Sequence, residues 1–255
     1  APHLTGAMVH HTVVRNPNLR WPVPNLDPLV AGRIIRRIER RAKYLLLRFD
    51  AGSLLIHLGM SGSLRIVTAD TPPRPHDHVD LVLGDRCLRL HDPRRFGAIL
   101  WCEGDPLQHP RLRDLGPEPL SDAFSAETLF RASRGRRVAI KNLIMDSHVV
   151  VGVGNIYATE ALFHAGIRPG RASQRVTRQR FERLAAAIKN VLAYAIERGG
   201  TTLRDFLSAS GSPGYFAQDL MVYGRAGEPC KHCGTSIKTK QIGQRASAYC
   251  PSCQR

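Results

Sequence analysis

Acid is scarce in this chain of 255 residues: 21 Asp and Glu stand against 37 Lys and Arg, leaving a formal charge of +16. Such an excess favours a polyanionic partner, and nucleic acid is the commonest polyanion in a cytoplasm. Long apolar runs are also missing. None approaches the ~18–20 residues needed to cross a bilayer, and no cationic helix with a Trp/Phe/Leu face offers a membrane-surface anchor. The opening text, APHLTGAMVHH, lacks the charged, apolar and small-residue order of a signal peptide, so a cytoplasmic address is expected. Internal repeats and low-complexity tracts are absent too. What remains, 43% hydrophobic and 23% charged, is the composition of an ordinary globular protein with room for one large or two modest domains.

Cysteine is sparse and unevenly placed. Cys87 and Cys102 lie in strand-like apolar text (RCLRL, AILWCE) and read as small core residues. The other four close the chain as C-x2-C-x16-C-x2-C: Cys230, Cys233, Cys250 and Cys253. Two such knuckles present four thiolates to one tetrahedral Zn²⁺, and full coordination by protein makes the site structural. In a reducing compartment metal ligation is the better reading than disulfides. No acid lies between the knuckles. TSIKTK and RASAY alternate as two strands about a QIGQ turn, which puts Lys238, Lys240, Gln244 and Arg245 at or near a hairpin tip. A hairpin of that width fits a DNA groove; for Arg245 a merely solvated arginine is an equal alternative.

The first 115 residues read as strands. AMVHHTVV, RAKYLLLRFD, SLLIHLGMSGSLRIV, HVDLVLGDRCLRLHD and FGAILWCE are punctuated by Gly, Asp and Pro, as in a sandwich or barrel. LGPEPLSD, rich in turn residues, marks a linker over 116–122. The period then becomes helical. ETLFRAS, VAIKNLIMD and text from Asn155 each suggest a helix. TRQRFERLAAAIKNVLAYAIERGG places Phe181, Leu184, Ile188, Val191, Leu192 and Ile196 on one core-facing stripe. SASGSPGYFAQDLMVYG breaks the pattern as a long loop over 208–224, and 225–255 holds the cysteine hairpin.

Three further segments carry chemistry. GVGNIYATEALFHAGI opens a helix with Gly152, Gly154 and Asn155, so free N–H groups and the helix dipole meet whatever lies there; a plain glycine turn is the alternative. In HDPRRFGAIL, Arg94 and Phe96 alternate and would share one side of an extended segment. A cation beside an apolar wedge suits insertion into a base stack, and a buried Phe between surface arginines is the other reading. Met60, in HLGMSGSL, is either core or a second wedge. Lys43, in RRAKYLLL, precedes an apolar strand, where a lysine can lose charge and act as a proton shuttle or nucleophile, or simply end the strand at the surface.

Taken in order, RRAKYLLL, HLGMSGSLRI, HDHVDLVL, DPRRFGA, LGPEPL, VVGVGNIYATEALF, GGTTLRDFL, GSPGYFAQDLMVYGR and the cysteine hairpin resemble the bacterial formamidopyrimidine-DNA glycosylase family over essentially the whole chain. The resemblance implies an α+β multidomain fold: an N-terminal β-sandwich, a helical helix–two-turns–helix domain and a C-terminal zinc-finger hairpin. It implies one structural Zn²⁺, and DNA bent and clamped between domains. The partner would be double-stranded DNA with oxidised purines or abasic sites, met by a monomer. The implied activity is base-excision repair of 8-oxoguanine and formamidopyrimidines, by a combined glycosylase and abasic-site lyase with β,δ-elimination.

Carried over by position, Lys43 resembles the lysine of β-elimination, and Arg245 the finger arginine that grips the lesion's phosphates and assists δ-elimination. Met60, Arg94 and Phe96 resemble residues that fill the void left by the flipped base. His76, Arg94, Arg136, Lys141 and Asn155 resemble DNA contacts. Gly214 and Tyr215 fall in the lid over the everted base. Family members begin with a Pro-Glu-Leu-Pro-Glu-Val-Glu tract whose proline amine attacks the sugar C1′. Pro2 is not that proline, because His3-Leu4 follow it and its nitrogen lies in a peptide bond. The expectation is that the tract belongs to the protein outside these residues, through disorder, truncation or a misplaced start. Without it the polypeptide binds DNA and excises nothing. Other readings are a zinc DNA-binding protein without catalysis and an endonuclease VIII-like enzyme for oxidised pyrimidines; the long lid and the Arg94–Phe96 pair favour the oxidised-purine branch.

Overall fold

The structure, a computed structural model, describes residues 3–198 and 219–255. These fall into two compact units that divide between Arg113 and Asp114.

The first unit is two four-stranded antiparallel sheets. One has the order β1-β6-β7-β5, with β1 (His11–Val14), β5 (Ser63–Thr68), β6 (Asp77–Leu83) and β7 (Arg86–His91). The other has the order β2-β3-β4-β8, with β2 (Arg37–Arg41), β3 (Tyr44–Phe49), β4 (Gly52–His57) and β8 (Ala98–Cys102). Val79, Leu81, Leu88 and Leu90 from one sheet pack with Leu47, Leu54, Ile56 and Ile99 from the other, which makes the unit a sandwich. Cys87 and Cys102 are buried within it, as their apolar context suggested.

Two stretches depart from their sequence appearance. SLLIHLGMSGSLRIV is not one strand: Gly59, at φ 64°, turns the chain so that β4 and β5 join different sheets. AMVHHTVV pairs as a strand only from His11, Met8 making a lone bridge to Ile34. A short helix, α1 (Asp27–Val30), was not anticipated.

The second unit holds α2 (Ala126–Ser133), α3 (Ile140–Met145), α4 (Asn155–His164) and α5 (Arg178–Glu197), followed by the hairpin of β9 (Lys238–Ile242) and β10 (Arg245–Tyr249). Ser125 and Thr128 form a capping box at α2, and the Thr177 hydroxyl accepts from Arg180 N at α5. Phe181, Leu184, Ile188, Val191 and Leu192 enter the helical core, and the stripe then ends at Ala195. Ile196 is 67% exposed, contrary to expectation: with Glu197 and Arg198 it lies where α5 has run past its core. No helix among the described residues is long and apolar enough to cross a membrane.

Candidate nucleic-acid interface and metal centre

In the first unit the candidate side chains sit on loops at strand ends. Lys43 is exposed in the turn between β2 and β3, where Ala42 takes φ 54°. Its charge, after burial itself, helps hold His57 below an ordinary histidine's range. His57 is the neutral acceptor that its Nδ1 needs to be, since Gly59 N donates to it at 2.9 Å.

Met60 (66% exposed) and Phe96 (42% exposed) are among the most exposed large apolar residues described, which excludes the core reading of both. Gly59 brings their loops together. A Cβ there would lie 2.5 Å from Phe96 C, so only glycine allows the approach. The Arg94 guanidinium stands 4.8 Å from the centre of the Phe96 ring. They meet by a turn at Pro93–Arg94 and a left-handed Arg95 (φ 55°), not by alternation along a strand as expected.

His76 is exposed at φ 71°, one residue before β6, whose register against β7 shifts between Asp77 and Val79. A bulge of this kind re-aims neighbouring side chains. Beneath it, the Asp77 carboxylate accepts from Arg65 (3.0 Å) and from Arg74 N (2.8 Å), and pairs with His91 Nδ1 (2.9 Å).

In the second unit the hairpin turns tightly at Gly243-Gln244, with φ 56° and 61°, so Ile242 pairs with Arg245. Gln244 and Arg245 are thus at the tip. Lys238 is not: it pairs with Tyr249 at the cysteine end, because the turn takes two residues rather than QIGQ. Arg245 is exposed, with no acidic partner among the described residues.

Behind Arg245, Lys141 is fully buried, donating from Nζ to Ala246 O (3.1 Å) and Ser247 Oγ (2.6 Å). Burial, then the positive charge of Arg245, brings its pKa down to about 8. Asn155, the first residue of α4, donates from Nδ2 to the same Ala246 carbonyl at 3.4 Å, while its Oδ1 is buried without a partner. No side chain caps α4, so its first N–H groups and the positive end of its dipole remain available to an anion. Gly152, at φ 80°, makes the turn that precedes it. Arg136 is exposed between α2 and α3, with Asp146 3.5 Å away. Gly214 and Tyr215 lie outside the described residues.

The four Sγ atoms of Cys230, Cys233, Cys250 and Cys253 lie within 4.8 Å of one another. Three separations are 3.4, 3.5 and 4.0 Å. A tetrahedron with Zn–S of about 2.3 Å has edges of about 3.8 Å, so the donor set fits zinc. Thr235 beside the Cys233 sulfur draws that thiol's pKa down, whereas burial and the neighbouring thiols raise those of Cys250 and Cys253. With four protein ligands there is no open position, and what the ion supplies is rigidity. Phe163, Val222, Ile237 and Ala248 form a small core with Cys230 and Cys250.

The ordered sequence of domains along the chain decides the kinship. Residues 1–99 match the formamidopyrimidine-DNA glycosylase N-terminal domain, 115–207 its H2TH domain, and 227–255 the zinc finger found in FPG and IleRS. The chain belongs to the formamidopyrimidine-DNA glycosylase family. The formamidopyrimidine-DNA glycosylase of Thioalkalivibrio sulfidiphilus is 60% identical over 99% of this chain and 94% of its own length. That of Syntrophotalea carbinolica is 58% identical over 100% and 95%. Among solved structures, MutM (Fpg) from Thermus thermophilus superposes with a TM-score of 0.89 at 38% identity, covering 99% of this chain and 93% of that one. The Lactococcus lactis Fpg in complex with abasic-site DNA superposes at 0.92 and 30%, covering 100% and 94%. This family member is therefore an enzyme of the DNA-formamidopyrimidine glycosylase type with a zinc-finger module, and the sandwich, helical segment and cysteine hairpin are as the resemblance implied.

Three residues of consequence escaped sequence reading. Asp92 is a fully buried acid that reads as an ordinary turn residue in HDPRRFG. Glu160 accepts from the backbone N–H groups of Met221, Val222 and Tyr223, at 2.8–3.1 Å; its signal was a lone acid in the apolar text IYATEALF. Trp21 lies under the guanidinium groups of both Arg20 and Arg111, at 4.7 and 4.2 Å.

Proposed function

We propose that the protein excises oxidised purines from duplex DNA and cleaves at the resulting abasic site, with the exposed cations of these residues dividing the work between loops of the sandwich and the tip of the hairpin. The Lactococcus lactis Fpg has been crystallised with Fapy-dG-containing and abasic-site DNA. A substrate of that kind suits a chain of charge +16. Chemistry on a base requires it out of the stack, and the vacated space needs a filler. Met60 and Phe96 are solvent-exposed apolar side chains on adjoining loops, and Arg94 stacked on Phe96 adds a donor for the orphaned base. Arg94 thus belongs both to the wedge and to the DNA contacts.

His76, Arg136, Asn155 and the α4 N-terminus are assigned to phosphates. Lys141 is assigned there through the hairpin it holds. Arg245, exposed and without an acidic partner among the described residues, is assigned to the lesion's phosphates and to proton movement in δ-elimination. Lys43, exposed in its turn, is assigned to β-elimination. Gly214 and Tyr215 are assigned to the lid over the everted base. DNA would be bent as it is held. The setting is the bacterial cytoplasm, at the nucleoid.

The single observation that carries this is the run of three family domains, in family order, along the chain. Its test is borohydride trapping of the natural full-length protein on an 8-oxoguanine duplex. A covalent protein–DNA complex is expected, because a bifunctional enzyme passes through a Schiff base that reduction makes permanent. Lesion binding with no crosslink on either 8-oxoguanine or abasic DNA would leave a zinc DNA-binding protein without catalysis.

A further inference from the structure

Three loops of the first unit meet at Asp92, two of them on its buried carboxylate and the third on its backbone. Asp92 is 0% exposed. Its Oδ2 accepts from Gly97 N at 2.7 Å, the residue after Phe96, and its Oδ1 accepts from the Ser61 hydroxyl at 3.4 Å, the residue after Met60. Its backbone N donates to His76 O at 3.0 Å, and its carbonyl accepts from Arg95 N at 3.2 Å and meets His78 Nε2 at 2.9 Å. We propose that Asp92 is a positioning residue whose carboxylate locks the Met60 and Phe96 loops into one arrangement for entry into the base stack, its backbone amide tying in His76. The proposal rests on the assignment of Met60 and Phe96 as wedges.

Three features point to geometry rather than ordinary stability. A buried carboxylate is expensive unless it is compensated, and among the described residues that of Asp92 has no ion-pair partner, only hydrogen bonds from the Gly97 amide and the Ser61 hydroxyl. Two of the residues its backbone holds, His76 and Arg95, are non-glycines at φ 71° and 55°. Such conformations persist where the surroundings over-determine them, and they gather at functional sites.

Gly97 is the third feature. A Cβ there would fall 2.8 Å from His57 O and 2.9 Å from Asp92 Oδ2, so the glycine is what lets the amide reach the carboxylate. The carboxylate accepts at both oxygens. Asn could still serve both, its Oδ1 accepting from Gly97 N and its Nδ2 donating to the Ser61 hydroxyl, so it is removal of the side chain that releases both loops.

The test uses the natural full-length protein and a duplex with a tetrahydrofuran abasic analogue opposite 2-aminopurine, whose fluorescence rises on unstacking. Wild type, Asp92→Asn, Asp92→Ala, Met60→Ala and Phe96→Ala are titrated to saturation, with circular dichroism confirming the fold. For Asp92→Ala the saturated fluorescence rise should fall by about half and lesion affinity by about tenfold, on the order of one lost hydrogen bond to a charged acceptor, while Asp92→Asn should stay nearer to wild type. Affinity for undamaged duplex should stay within about twofold, because phosphate contacts dominate it. A purely structural role would lower the melting temperature and leave the saturated fluorescence unchanged. The proposal is overturned if Asp92→Ala saturates at the wild-type signal while Met60→Ala and Phe96→Ala reduce it. If those two also leave the signal and lesion affinity unchanged, the wedge assignment fails, and the role of Asp92 fails with it.

Discussion

The sandwich and the hairpin present exposed cations by opposite means. The loops bearing Met60, Arg94 and Phe96 rise from two sheets whose facing aliphatic residues form a large ordinary core. The hairpin bearing Arg245 has only a handful of apolar residues, Phe163, Val222, Ile237 and Ala248 among them. A core that small cannot offset the entropy of ordering its strands. Four thiolates aimed at one ion, and a buried lysine donating to Ala246 O and Ser247 Oγ, stand where aliphatic packing would otherwise be. Position near DNA is thus bought with apolar burial in one unit and with metal and charge in the other.

Metal removal should separate the two units most sharply. After chelation with verified zinc loss, amide protection across Lys238–Tyr249 should vanish and lesion binding with it, while β3, β4 and β8 keep their protection. Unchanged lesion affinity would remove the metal from any role in recognition. Truncation in the sandwich should do the converse. Leu54 is 0% exposed, and Leu54→Ala should cost about 2–5 kcal/mol by denaturant unfolding without altering exchange in the hairpin.

A finer cut comes from Gly59. Its φ of 64° and the 2.5 Å approach to Phe96 C mean that Gly59→Ala strains the Met60 and Phe96 loops at once. About 1–3 kcal/mol of destabilisation should accompany a larger loss of affinity for a lesion duplex than for an undamaged one; an equal loss on both would argue that these loops do not read the lesion.

The smallest effect concerns protons. Lys141 titrates at about 8 when folded, whereas an ordinary lysine does so near 10.5. Between those values the unfolded chain holds more protons, so the cost of keeping Lys141 charged is present in full below about pH 8 and is relieved as pH rises towards 10.5. Stability of the second unit, with other titrations subtracted by means of Lys141→Met, should therefore increase across that window. A Lys141 side-chain carbon resonance titrating as an ordinary exposed lysine would contradict the buried contact with the hairpin.

What could be read beforehand follows from how local each signal is. The cysteine spacing, the Tyr44–Phe49 strand and the stripe of α5 are patterns within a few turns of chain, and each was legible. The burial of Lys141, which the resemblance offers as a DNA contact, was not, because its partners lie 105 and 106 residues away; nothing in VAIKNLIMD distinguishes a buried lysine from a solvated one. Asp92 was hidden for the same reason, its side-chain bond to Ser61 spanning 31 positions. Lys238 was misplaced by two residues of turn, which alternation alone does not fix. The pairing of Arg94 with Phe96 was anticipated for the wrong cause, since a left-handed Arg95 does what strand alternation was expected to do. Local text marked Lys43, Arg245 and the 208–224 loop only as candidates, each with a plain structural alternative, and their particular roles rest on family resemblance.

The most direct measurement is the affinity of this chain, zinc-loaded, for a duplex containing a tetrahydrofuran abasic analogue against the same duplex undamaged, at several salt concentrations. A clear preference for the abasic duplex, with log K falling steeply against log salt for both, is the expected result. Equal affinity for the two duplexes at every salt concentration would mean that the exposed wedge and the braced hairpin hold DNA without recognising damage, and would contradict the account.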